Sequence, residues 1–159
     1  MIRPAVPSDL DTVAALIREL AEYEHLAHEV VLDVEELREH LFGTHPYAEV
    51  LIAEADGGDP VGFALFFHNF STFLGRPGIH LEDLFVRPAA RGAGHGLALL
   101  RALGRIARDR ECGRIEWNVL DWNEGAIRFY RSVGAEPMSD WTTFRVTGDA
   151  LTQLARESA

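Results

Sequence analysis

Residues 81–97 read Leu81-Glu82-Asp83-Leu84-Phe85-Val86-Arg87-Pro88-Ala89-Ala90-Arg91-Gly92-Ala93-Gly94-His95-Gly96-Leu97. The opening residues are β-compatible and apolar around an acidic pair, and Pro88 ends the run because it brings no N–H to a ladder. Glycines at 92, 94 and 96 then allow a tight backbone. Leu97, Leu100, Leu103, Ile106 and Ala107 follow at helical spacing, which predicts a helix to about Arg110. A strand that passes through glycines into a helix leaves unhindered N–H groups at the positive end of a helix dipole, an arrangement suited to a phosphate. The Gly-Lys-Ser/Thr of a P-loop is absent, and a dinucleotide fingerprint needs Gly or Ala where Leu97 stands.

Upstream, Ile2–Val6 reads as a short strand, and Ser8 or Asp9 caps a helix ending near Tyr23-Glu24. Asp33 caps a shorter helix to about Leu41, closed by Gly43. Ala48–Ala55 and Val61–Phe70 read as strands joined by the turn Asp56-Gly57-Gly58-Asp59, so the two pair antiparallel. Ile79–Val86 is the next strand. Downstream, Arg114–Leu120 reads as a strand, Asp121 or Asn123 starts a helix through Val133 that Gly134 stops, and Trp141–Val146 is a final strand before a short polar helix. The order βααβββαβαβ predicts an α/β fold with a mixed central sheet flanked by helices.

With 159 residues, 47% hydrophobic and 25% charged, the chain fits one compact domain spanning 1–159 that buries roughly 70% of its unfolded surface. No run approaches the ~18 apolar residues of a membrane span, and the N-terminus lacks the pattern of an export signal, so a cytoplasmic protein without a membrane partner is expected. The single Cys112 excludes an internal disulfide and any cysteine-paired metal knuckle, and no metal is expected. The net charge of −10 disfavours nucleic acid. Residues 1–80 carry 14 acids against 4 Arg and residues 81–159 carry 11 against 11, whereas 87–114 holds 7 Arg and 2 acids. An anion site near 87–114 and a cation-facing acidic half follow from that asymmetry.

The stretch Arg91-x-x-Gly94-x-Gly96 after the strand 81–88 resembles the acyl-CoA signature of the GNAT acetyltransferase superfamily. Trp117-x-Val119-Leu120-Asp121-Trp122-Asn123-Glu124-x-Ala126-Ile127-x-Phe129-Tyr130-x-x-x-Gly134-Ala135 resembles its diamine acetyltransferase branch, whose members acetylate polyamines or thialysine. Ile2-Arg3-Pro4-Ala5, Ile17-Arg18-Glu19-Leu20-Ala21-x-Tyr23-Glu24 and Ser71-Thr72-Phe73 extend the likeness over nearly the whole chain. The resemblance implies the GNAT fold, acetyl-CoA as cosubstrate, a small cationic amine as acceptor and a homodimer. It also implies that Arg91, Gly92, Ala93, Gly94, His95, Gly96 and Leu97 hold the CoA pyrophosphate, and that Leu84, Phe85 and Val86 line the pantetheine arm. Asn123 is implied to hydrogen-bond that arm, and Tyr130 to protonate the departing thiolate and contact the cofactor.

An ammonium must lose a proton before it attacks a thioester, so a base is required. Glu82 is weighed ahead of Asp83, and the resemblance implies that it works through a water. A regular strand sends the two side chains to opposite faces, and a bulge would reverse the order. A backbone N–H near Phe85 is expected to stabilise the tetrahedral intermediate. Glu29, Glu82 and Asp83 are the acids expected to attract the amine. His95 stands where the resembling loops usually carry a nonpolar residue; the helix dipole disfavours its charged form and a pyrophosphate favours it. Two rivals are a protein or peptide N-acetyltransferase with an open cleft and a noncatalytic acyl-CoA-binding regulatory module.

Overall fold

A computed structural model describes residues 1–156. Two compact units are present, Met1–Asn118 and Val119–Ala159. The first contains β1 (Ile2–Pro4), α1 (Leu10–Tyr23), α2 (Val34–Phe42), β2 (Glu49–Glu54), β3 (Pro60–Ser71), β4 (Arg76–Val86), α3 (His95–Asp109) and β5 (Ile115–Trp117). Its strands form one mixed sheet in the order β1-β2-β3-β4-β5, antiparallel except for the parallel pair β4 and β5. The second unit holds α4 (Glu124–Ser132) and α5 (Gly148–Leu154). Among the described residues no helix is long and apolar enough to cross a membrane.

Each face of the sheet buries one helical layer. Leu51, Ala53, Ala64, Phe66, Ile79 and Leu81 pack with Leu99, Ala102, Leu103 and Ala107 of α3. On the other face Val50, Ile52, Phe63 and Phe85 pack with Val13, Leu16 and Leu20 of α1 and Leu41 of α2. Strand geometry alternates side chains between faces, and β3 obeys it from Phe63 to Phe66. In β4, however, Ile79 and Leu81 belong to the α3 face while Phe85, an even number of residues further on, belongs to the α1 face. The register gives the reason: Leu65 pairs with Asp83 and the next residue, Phe66, with Leu81. Glu82 is therefore an extra residue without an opposite number, a β-bulge that inverts the facing of everything after it.

Asp33 caps α2 as expected, accepting the N–H groups of Glu35 and Glu36 at 2.9 Å each. The expected side-chain cap of α1 by Ser8 or Asp9 is absent. Asp9 instead accepts the Val6 N–H at 2.8 Å, closing the single 3-10 turn Pro7–Asp9, and takes both arms of the Arg3 guanidinium at 2.6 and 2.9 Å. The two-armed guanidinium bond to buried Asp9 is worth more than an exposed helix cap. Two strand expectations also change. The strand expected over 114–120 is confined to Ile115–Trp117, and 141–147 carries no strand, with Trp141 and Phe144 exposed. The segment alternates apolar and polar residues, but a strand forms only with a ladder partner, and this segment pairs with none of the five strands.

The Arg3 guanidinium holds the Asp9 carboxyl below its ordinary value against the opposing effect of burial, with the Val6 N–H adding to the shift. Because the folded value lies below the unfolded one, this pair stabilises fully above about pH 4 and loses its contribution as pH falls through the folded value. Asp9→Asn should cost roughly 2–3 kcal/mol at pH 7. Urea unfolding at pH 7 and pH 3 should show that cost shrinking in acid.

Candidate active site

The bulge governs the main chain of β4 as well as its side chains. Before it, the Ile79 N–H points outward and donates to Arg114 O at 3.0 Å. After it, the Arg87 N–H donates inward to Val61 O at 2.9 Å and Phe85 lies opposite Phe63. Antiparallel alternation then turns Phe85 toward β3 and sends the N–H and C=O groups of Leu84 and Val86 to the outer edge. β5 pairs with β4 only over Ile79–Leu81, so the sheet assigns that edge no partner beyond the bulge. The donor expected near Phe85 is thus not Phe85's own N–H; the outward donors belong to Leu84 and Val86. Val86 O accepts Arg91 Nε at 2.9 Å.

From this edge the chain enters the glycine loop. Gly92 and Gly94 both adopt φ +84°, a conformation that strains any L side chain, although open space surrounds each. Gly94 is the N-cap of α3 and supplies no capping side chain. The first helical bond runs from Ala98 N to Gly94 O at 2.9 Å, so the helix leaves the N–H groups of His95, Gly96 and Leu97 to an external acceptor. Ala93 is exposed and His95 half-buried beside them. Arg91 lies with its guanidinium 4.3 Å from the Tyr23 ring centroid, a cation–π contact. A second arginine fixes the frame: Arg87 forks onto Glu19 of α1 at 2.7 and 2.8 Å and reaches Pro60 O at 2.8 Å.

The carboxylates divide sharply. Asp83 shares the α1 face with Phe85, and its carboxyl is pushed up to about 7 by burial first, then by the charges of Glu82 and Glu24. Glu82 is 56% exposed at its side chain, with Oε2 3.5 Å from His80 Nε2. Glu24, just past the end of α1, is itself raised by burial. Glu29 sits exposed in the turn Ala27–Glu29, 3.4 Å from His28. The acid brought to Asp83 from the α1 end is therefore Glu24, which the sequence reading passed over as a helix terminus. No spacing signal links Glu24 to β4; only the packing of α1 on the sheet does.

In the second unit Asn123 caps α4, its Oδ1 accepting the Ala126 N–H at 3.2 Å, which leaves its amide NH2 as the remaining donor. Tyr130 lies half-buried on α4 with its ring 5.4 Å from that of Phe129.

Comparison with known proteins fits this geometry. The model of the acetyltransferase (GNAT) family matches residues 13–135. The chain belongs to the GNAT acetyltransferase family. It is 38% identical to the thialysine N-epsilon-acetyltransferase of Bos taurus over 98% of this chain and 96% of that one. It is 31% identical to the L-ornithine N5-acetyltransferase of Arabidopsis thaliana over 94% and 85%. An integron cassette protein of V. cholerae superposes with a TM-score of 0.80 at 29% identity, covering 99% of this chain and 98% of that one. GNAT membership makes the chain an acetyl-transferring enzyme, with a glycine loop and a bulged, acid-bearing strand in the unit 1–118.

Asp83 keeps its proton to about pH 7 in the fold, against an ordinary value of 3.8. Its folded value is raised, so the fold loses stability as pH climbs between those two points. Asp83→Asn should remove that loss, gaining on the order of 4 kcal/mol over the parent at pH 8.5 and much less at pH 5. Urea unfolding at the two pH values measures the difference.

Proposed function

We propose that the protein transfers acetyl from acetyl-CoA directly to a primary amine of a small cationic metabolite: a thialysine- or ornithine-like amino acid, a polyamine or a diamine. The observation that carries the reading is a half-buried carboxyl near neutrality, Asp83, on the strand whose free edge leads into the glycine loop. The relatives named for thialysine and ornithine acetylation support the acceptor class. The N–H groups of Gly92 to Leu97 suit the CoA pyrophosphate, with Arg91 beside them, and the Leu84 and Val86 edge suits the amides of the pantetheine arm. Asn123 would bond the same arm through its amide NH2.

In the reaction, Asp83 takes a proton from the substrate ammonium, breaking an N–H bond and freeing the lone pair that attacks the thioester carbon. An edge N–H of Leu84 or Val86 meets the charge growing on the carbonyl oxygen. The C–S bond breaks as the amide forms, Tyr130 protonates the thiolate, and the second nitrogen proton restores the phenol. The sequence favours Glu82 as base, but burial and the raised basicity it brings favour Asp83 for proton acceptance, with exposed Glu82 and half-buried Glu24 attracting the ammonium. Glu29, further along the same acidic segment, contributes only to the field drawing cations in. Both units act as one catalytic domain in this reading, in the cytoplasm and as a homodimer. The exposed Phe70 and Phe73 are apolar side chains that a second copy would cover.

Release of CoA thiol from acetyl-CoA tests the reading against thialysine, ornithine, lysine, spermidine and short diamines, with lysine peptides in parallel. Turnover on the free amines is expected; turnover on peptides alone would assign a protein acetyltransferase, and acetyl-CoA binding without release a noncatalytic module. The ratio kcat/KM for the amine should rise with pH and level off above about 7, as Asp83 ionises in the free enzyme. Asp83→Asn should abolish that rise and lower kcat by about 100-fold or more, and Tyr130→Phe should lower kcat by a similar factor.

A further inference from the structure

The face of the sheet that carries Asp83 holds a second polar group, which the reaction does not use. α1 and α2 cover this face at Val50, Ile52, Phe63 and Phe85, while Asn69, His80 and Glu116 further along it are only half-buried. Ile115 and Trp117 pack on the α3 side, so Arg114 and Glu116 project to the opposite one. Glu116 meets Arg114 Nε at 2.8 Å and accepts Asn69 Nδ2 at 2.9 Å, and both contacts fall on Oε2. Oε1 and the Nη groups of Arg114 remain for a ligand, on side chains 38% and 40% exposed respectively. Asn69 reaches Glu116 by crossing β4, which it can do because its register partner is Gly78; a Cβ there would collide with Asn69 Oδ1. Turning Nδ2 to Glu116 leaves Oδ1 buried, with no hydrogen-bond partner among the described residues. An orphaned acceptor is costly, and flipping the amide would only set its oxygen against the carboxylate. The Asn69 amide is thus committed to holding Glu116, and with it the Arg114 pair, in one place.

We propose that Arg114 and Glu116 form a head-group subsite that selects an α-amino acid bearing a side-chain amine over a polyamine or a plain diamine. The inference rests on the acetyltransfer reading above and names the acceptor within it. An α-amino acid presents an ammonium beside a carboxylate. Glu116 Oε1 takes the ammonium and the Arg114 fork takes the carboxylate, so each charge meets its opposite on both sides. The far end of a diamine brings the ammonium alone; it finds Glu116 but leaves Arg114 facing a like charge, which counts against it. The spacing agrees with this division of labour. Glu116 lies opposite His80, three residues from Asp83 along β4, a separation of roughly 10 Å at the rise of a strand. An extended ornithine chain, about 6 Å between its nitrogens, spans that gap once a hydrogen bond of about 2.9 Å is added at each end. The side-chain amine then reaches Asp83 while the head group rests on Arg114 and Glu116.

The test compares three acceptors of one chain length: ornithine, 1,4-diaminobutane, which lacks the carboxylate, and 5-aminopentanoate, which lacks the α-ammonium. All are run at pH 8.0 on the parent, Arg114→Gln and Glu116→Gln, so that ionisation of Asp83 is common to every arm and cancels in each ratio of kcat/KM. The parent should favour ornithine over either analogue by about 10-fold or more, as expected for one charged hydrogen bond at a half-exposed site. In Arg114→Gln the ornithine-to-diaminobutane ratio should fall about 10-fold, and in Glu116→Gln the ornithine-to-aminopentanoate ratio should do the same. Calorimetric titration of the three compounds reads the same preferences without turnover, and thermal unfolding checks that the variants are folded. A parent that turns over diaminobutane as well as ornithine, or better, overturns this inference and leaves the acetyltransfer reading standing. Unchanged ratios in the folded variants, or an equal loss on all three acceptors, also overturn it, since the pair then serves only the sheet. Absence of both turnover and binding for every free amine in the parent, spermidine and thialysine included, overturns the acetyltransfer reading and this inference with it.

Discussion

The single extra residue at Glu82 is the constraint on which the site depends. Without it, Asp83 and Phe85 would follow Ile79 and Leu81 onto the α3 face, and Phe85 could not fill the core under α1. The same insertion exchanges the main-chain groups that meet β3 for those that meet the outer edge, so Leu84 and Val86 turn their N–H groups outward where β5 has already stopped, and Val86 O accepts Arg91 Nε. One residue therefore creates the free edge, aims the acids and keeps Phe85 buried. A local insertion in a ladder costs a little pairing, and it recurs beside active sites because it re-aims side chains without disturbing the strands on either side.

Around the bulge, charge is distributed by sign. The cationic and donor-rich pole consists of Arg91, the glycine backbone and the unpaired N–H groups opening α3. The anionic pole consists of Glu82, Asp83 and Glu24, brought together from β4 and the end of α1. The poles join at the end of β4, which Arg87 anchors by its fork onto Glu19 and its bond to Pro60 O. An enzyme that joins an anionic acyl carrier to a cationic amine needs both signs close together without mutual cancellation. A rigid strand between them is one way to keep them apart, since the backbone cannot shorten to let the charges pair.

Much of this was legible in the sequence. The glycines at 92, 94 and 96 announced a tight backbone before a helix, and two of them, Gly92 and Gly94, adopt φ +84°. Asp33 was readable as a cap because its effect is local, confined to N–H groups two and three residues on. What escaped was set by partners distant in the chain. Asp9 looks like a cap until Arg3 claims it, and Trp141–Val146 looks like a strand although it pairs with none of the five strands. The bulge itself has no signature in Leu81-Glu82-Asp83-Leu84. Alternation within β4 cannot say that Phe63 and Phe66 on the neighbouring strand demand an insertion to place Phe85 and Leu81 on opposite faces. Glu24 was hidden for the same reason, since its approach to Asp83 is a property of helix packing.

The choice between Glu82 and Asp83 illustrates why burial decides where residue type cannot. Both are carboxylates, both lie on the acid-bearing face, and a primary amine needs a base that is unprotonated yet able to hold a proton near neutrality. An exposed carboxylate meets only the first requirement, because water stabilises its charge and leaves it a weak base. Asp83 meets the second because burial, and then the charges of Glu82 and Glu24, raise the free energy of its ionised form. In the proposed reaction, arrival of an ammonium lowers that free energy again, so the substrate itself helps to ionise the group proposed to deprotonate it. The cost of ionising Asp83 is thereby offset when a cation binds. Such coupling ties basicity to the presence of the correct charge and favours a cationic acceptor over a neutral one.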